Sequence, residues 1–160
     1  MFLVHDKITD RQKRIRSFLR KDDYSIAVIP AAVDFEWTLR RAIRALGKLP
    51  TAKLKEDILN SNERGLKGYK KIWRHHVCED VEKSLVKVIG KSEWDQITAA
   101  FEHRNLLIHG FEGSPHPEEA TNSTESLLKA SAKINAFTEE LKCPIYGKSI
   151  RRKKLRYNLI

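Results

Sequence analysis

Ala31-Ala32-Val33-Asp34-Phe35-Glu36-Trp37-Thr38-Leu39-Arg40-Arg41 is the most strongly patterned stretch of the chain, and its reading decides the fold class. It lies within a segment from Ser25 to Leu46 whose apolar residues Ala32, Phe35, Leu39, Ala42 and Leu46 alternate spacings of three and four. That is the period of an amphipathic helix. Gly47 supplies a stop, and Pro30 either opens the helix or kinks it. With Ala32 at zero on a helical wheel, Glu36 falls at about 40°, between Ile43 and Ile29, so a carboxylate sits on the apolar face.

The same period recurs on both sides. Ile8 to Arg20 reads as a helix with Ile8, Ile15, Phe18 and Leu19 inward and a cationic outer face, which either flanks a polyanion site or only keeps the helix soluble. A short helix follows from Thr51 to about Leu59, then one from Arg64 to Val77 carrying Leu66, Tyr69, Ile72 and Trp73. Glu79 to Ile89, with Val81, Leu85 and Val88 inward, closes at Gly90. After the loop Gly113-Ser114-Pro115-His116-Pro117, a long helix uses Leu127, Ala130, Ile134, Phe137 and Leu141. These periodicities predict an all-α, up-and-down bundle of about five or six helices with a basic C-terminal tail.

One helix breaks its own pattern. It is expected to start at Ser92, capped there with Asp95 three residues on, and to stop at Gly110. Ile97, Ala100, Phe101, Leu107 and Ile108 form its apolar stripe, and Arg104 falls inside that stripe. A guanidinium so placed needs a carboxylate, a phosphate or a route to water. Glu36 has the required sign, and a Glu36–Arg104 pair is one reading; the other lets Glu36 reach solvent at the stripe's edge. Thr98, Glu102, Asn105 and His109 make a polar ridge, with His103 beside it. Arg104 and His109 stand about 140° apart, so they converge only if the arginine reaches across or a second copy of the helix meets the first.

The 160 residues suffice for one domain with a real core, placed at residues 1–141. Net charge is +10, yet residues 142–160 hold seven basic residues and no acidic one, leaving 24 basic and 21 acidic residues before them, a net +3. A polyanion such as RNA is the natural partner for this tail, with Arg151, Arg152, Lys153 and Lys154 at its centre. A solvated solubility tail is the alternative. No apolar run approaches the ~20 residues of a membrane span, and no signal-like start is present, so no membrane is expected as partner and the compartment expected is the cytoplasm. Cys78 and Cys143 have no paired spacing, and His75-His76 point ~100° apart, so neither a metal nor another cofactor is expected.

The residue types suit metal-free cleavage of RNA. A neutral histidine can take the proton from a ribose 2′-hydroxyl or give one to the leaving oxygen, while an arginine stabilises charge building on phosphorus. Asn105 can orient either group. Two facing helices would double both groups, which predicts a homodimer with its axis near His109.

Arg104-Asn105-Leu106-Leu107-Ile108-His109, an arginine and a histidine separated by four residues, resembles the signature of the HEPN superfamily. The segment from Ala31 to Arg41 is similar to the corresponding helix of its stand-alone prokaryotic members, and the resemblance covers residues 5–141. It implies an all-α bundle, a composite cleft between two chains and metal-independent endoribonuclease activity in toxin, antiphage or RNA-processing systems, with an antitoxin or another defence component as partner. Arg104 and His109 would be the catalytic pair, with Asn105 beside the arginine and Glu36, Glu102 and His103 in support. Members paired with a nucleotidyltransferase antitoxin often carry a tyrosine before the histidine; here that residue is Ile108. A non-catalytic nucleic-acid-binding or regulatory dimer is the other class the resemblance allows.

Overall fold

A computed structural model describes residues 7–21, 23–60, 65–78, 83–110, 116–147, 150 and 152–153. The helices are α1 (Ile8–Leu19), α2 (Tyr24–Leu46), α3 (Thr51–Asn60), α4 (Gly65–Trp73), α5 (Leu85–Ile89), α6 (Lys91–His109) and α7 (Pro117–Glu140). One π-helical turn, Arg74–Cys78, continues α4. Among the described residues there is no strand, and no helix is long and apolar enough to cross a membrane. The fold is an all-α bundle, with seven α-helices among the described residues where about five or six were expected. Glu79, Val81 and Gly113-Ser114-Pro115 lie outside the described residues.

α2 is the central element. Ala32, Phe35, Leu39, Ala42 and Leu46, the residues of its apolar pattern, are all at most 1 % exposed. Each large side chain so buried contributes roughly 1.5–3 kcal/mol of transfer free energy. The helix runs unbroken through Pro30, which sits in its second turn and withholds only the hydrogen bond to the Ile26 carbonyl. Gly47 ends it with φ −68°, so no left-handed turn is involved. Space explains the glycine, since a Cβ would lie 2.6 Å from the Ile43 carbonyl oxygen and 2.8 Å from Leu54 Cδ1.

Three helices close around α2. Gln12 Nε2 donates to the Leu128 carbonyl at 2.9 Å and Arg16 Nε to Glu125 at 2.7 Å, so α1 runs antiparallel to α7. α6 does the same on the other flank: His103 meets Ser123, while the Lys133 ammonium bonds both the Ile89 carbonyl and the Glu93 carboxylate. Phe101 packs edge-on against Phe35, ring centres 5.8 Å apart, and ties α6 to α2.

The face of α1 read as cationic and outward contributes a buried arginine. Arg11, 1 % exposed, donates through Nε to Asp34 Oδ1 at 2.7 Å, and its guanidinium lies 4.0 Å from the Trp37 ring. Burial pushes the Asp34 carboxyl above its usual range, and Arg11 opposes that shift. The Arg41 guanidinium also lies over the Trp37 ring, 4.6 Å from its centre.

The packed chain runs on past Leu141, where the tail was expected to leave the domain. Cys143 and Ile145 belong to the core, at 2 % and 0 % exposure. Tyr146 shares a hydrogen bond of 2.9 Å with Thr38 and packs on Trp37, and Arg41 Nη2 donates to the Gly147 carbonyl. Irregular backbone is buried here because α2's arginine satisfies its carbonyls.

Candidate functional site

α6 does not begin as the sequence suggests. Gly90, at φ 100° and ψ 143°, is its N-cap, the helix starts at Lys91, and Ser92 is an exposed helical residue that caps nothing. The other end matches the expectation: Gly110 takes the left-handed conformation, φ 68° and ψ 22°. His109 is therefore the last helical residue, exposed at the mouth of the turn.

The buried stripe of α6 is Ile97, Ala100 and Phe101. Leu107 is half-buried and Ile108 is 46 % exposed, contrary to their places on the wheel. Arg104 stands where the stripe meets solvent. Its Nη1 donates to Asn105 Oδ1 at 3.0 Å, while its Nε is enclosed and makes no hydrogen bond to protein. An enclosed N–H left without an acceptor costs about 1–3 kcal/mol, more when charged.

Glu36 and Arg104 form no direct ion pair; both act instead on a residue whose spacing marks it only as core. Tyr69 of α4 is 6 % exposed and accepts a hydrogen bond from Arg40 Nε. Burial pushes its phenol pKa up and the Glu36 charge adds to this, whereas Arg40 and Arg104 pull it down. Glu36 and Arg40 are one turn apart on α2, so three helices bring a carboxylate, a phenol and two guanidinium groups together. Tyr69's helical spacing explains its ring; nothing in the sequence shows where its hydroxyl points.

Glu102 and His103 face another way. They line an open groove of about 1010 Å³ between α1, α6 and α7, where His103 Nδ1 lies 3.2 Å from Ser123 Oγ. The structure thus separates these two supporting residues from the Arg104 face.

The tail residues also divide. Arg152 Nη2 donates to the Gly47 carbonyl at 2.7 Å and to the Leu49 carbonyl, and the Lys153 backbone N–H bonds the Ala45 carbonyl at 2.8 Å. Arg152 is a cation at the negative end of α2, so this part of the tail is engaged by its own fold. Arg151 and Lys154 lie outside the described residues, as do Leu155, Tyr157, Leu159 and Ile160.

His76 is buried, with Nε2 3.0 Å from Asp57 Oδ2. Its ring meets that of His75 edge-on at 4.6 Å. Among the described residues no group of three or more His, Cys, Asp or Glu is placed to hold a metal ion.

No family model matches the chain, and neither a curated protein nor a solved structure matches it.

Proposed function

We propose that the chain is a HEPN-type endoribonuclease, a toxin or antiphage effector of the cytoplasm that cleaves RNA at a site completed by a second copy. The observation that carries this reading is the terminal turn of α6: His109 exposed at a glycine-capped helix end, one turn beyond an arginine with an enclosed, unbonded N–H. In the proposed reaction the neutral His109 imidazole takes the proton from a ribose 2′-hydroxyl. The freed oxygen attacks phosphorus, a 2′,3′-cyclic phosphate forms, and the 5′-oxygen leaves with a proton from the second histidine. Arg104 stabilises the added charge on the non-bridging oxygens, and Asn105 holds the guanidinium in place. Every step uses protein groups alone. Leu106 and Ile108, 38 % and 46 % exposed beside His109, offer an apolar rim against which the second helix can pack.

A non-catalytic nucleic-acid-binding or regulatory dimer is the second reading. It is favoured by the Arg104–Asn105 bond, which turns part of the guanidinium toward its own chain. RNA cleavage in EDTA separates the two. The wild type should cut, and Arg104→Ala and His109→Ala should each lose at least about a hundredfold in rate. Equal cleavage by all three, or none by a folded wild type over varied RNAs, refutes the nuclease.

A further inference from the structure

On the outward side of α4 and of the π turn that continues it, Lys67, Lys70, Lys71 and Arg74 are all exposed, alongside Gly65 and His75. The i, i+3, i+4, i+7 spacing of the lysines and the arginine places them on one stripe, about 10 Å long. The opposite side is core: Leu66, Tyr69, Ile72 and Trp73 are all buried. From Gly65 to Cys78 the chain contains no Asp or Glu, so like charges one turn apart repel with no acidic residue in the element to offset them. Solvation alone does not require that arrangement, since the exposed faces of α3 and α7 mix both signs.

One contact joins the stripe to α6, and a neighbouring side chain on α4 reaches the surroundings of Arg104. Lys70 Nζ lies 5.8 Å from the ring of Trp94, a half-buried indole on α6. Tyr69, the residue before Lys70, bonds Arg40 and feels the charge of Arg104. Cations beside an aromatic face are how proteins hold an unpaired strand, the cations taking phosphates and the ring a base.

We infer that the Lys67–Lys70–Arg74 stripe binds the sugar-phosphate backbone of single-stranded RNA and guides the strand toward the Arg104 end of α6. The choice of RNA rests on the ribonuclease reading; the demand for a polyanion rests on the stripe. This places the substrate track on the body of the protein, whereas Arg152 of the tail is bonded to α2.

The test uses the full chain and a fluorescent, 2′-O-methylated single-stranded RNA, which cannot undergo 2′-hydroxyl attack, with anisotropy followed over a KCl series. Lys67→Gln/Lys70→Gln/Arg74→Gln should weaken binding at least tenfold near ~0.1 M salt. It should also flatten the log–log salt slope by about 2, at roughly 0.7 for each phosphate no longer neutralised. Lys13→Gln/Lys53→Gln/Lys55→Gln removes the same charge from exposed sites on α1 and α3 and should keep the slope. Equal losses in both triples overturn the inference, as does a stripe that holds duplex RNA or heparin and not the single strand. Cleavage of unmodified RNA separates this from the nuclease reading. Cutting that Arg104→Ala abolishes and the stripe triple leaves intact removes the track alone. Strand binding through the stripe without any cutting removes the nuclease alone.

Discussion

Arg104 is held by its own chain neighbour: Nη1 donates to the side-chain oxygen of Asn105 at 3.0 Å, on the last turns of α6. Asn105 is exposed, so replacing it should leave stability within about 0.5 kcal/mol and act on the guanidinium's position. Asn105→Ala should lower RNA cleavage about tenfold. Asn105→Asp, which puts a full negative charge beside the arginine, should lower it further. Rates and thermal melts on the same samples check this; an Asp variant as active as wild type would show that Asn105 does not orient Arg104.

Arg152→Ala removes a charged donor from two carbonyls at the end of α2. The group is half-exposed, so the loss should be modest, about 1 kcal/mol in urea denaturation. RNA affinity should hold. A fall in affinity with unchanged stability would return this arginine to the nucleic-acid interface.

Asp34→Ala leaves the Arg11 guanidinium buried without its carboxylate and should cost about 3–5 kcal/mol. Arg11→Met/Asp34→Ala should be more stable than Asp34→Ala alone, because no orphan charge remains. Denaturant midpoints for the two single variants and the double variant decide it, and additive losses would mean that the pair is not coupled.

Stability should decline as pH falls below about 6.5, the ordinary histidine value. Burial depresses the His76 pKa, with the His75 and Lys48 charges adding, while Asp57 opposes. Above that pH both folded and unfolded chains carry a neutral ring, and the contribution is complete. Below it the unfolded chain takes up a proton that the folded chain resists, so folding weakens until the depressed folded value is reached. Thermal melts of wild type and His76→Gln between pH 5 and 8 should show a flatter profile for the variant in this window.

Much of the bundle was legible because helical periodicity is a local signal. Every apolar position of the α2 pattern is buried, and Gly110 turns as a helix-ending glycine should. The failures share one cause. Arg11 and Asp34 each look like a surface charge within their own helix, and only a contact across 23 residues makes them a pair. Ile108 lies on the apolar side of the wheel, yet it is exposed, because a wheel carries no record of what packs against each side. Gly47 reads as a left-handed stop but was needed for the approach of Leu54. At the site, the wheel puts Arg104 inside the apolar stripe, and the structure has it half-buried at the stripe's edge. Its surroundings, Tyr69 and Arg40, were hidden because a hydroxyl at a core spacing looks like any other core residue.

The contact between Thr38 and Tyr146 joins positions 108 residues apart. Helical bundles usually fold fast because their contacts are local. In this chain the helix at the centre leaves the ribosome early, while α7 and the segment that carries Tyr146 follow more than seventy residues later. Until they arrive, the side of α2 that packs on α7 stays uncovered. Newly made chains therefore pass through an interval of exposed apolar surface, which closes when α7 and the Tyr146 segment dock.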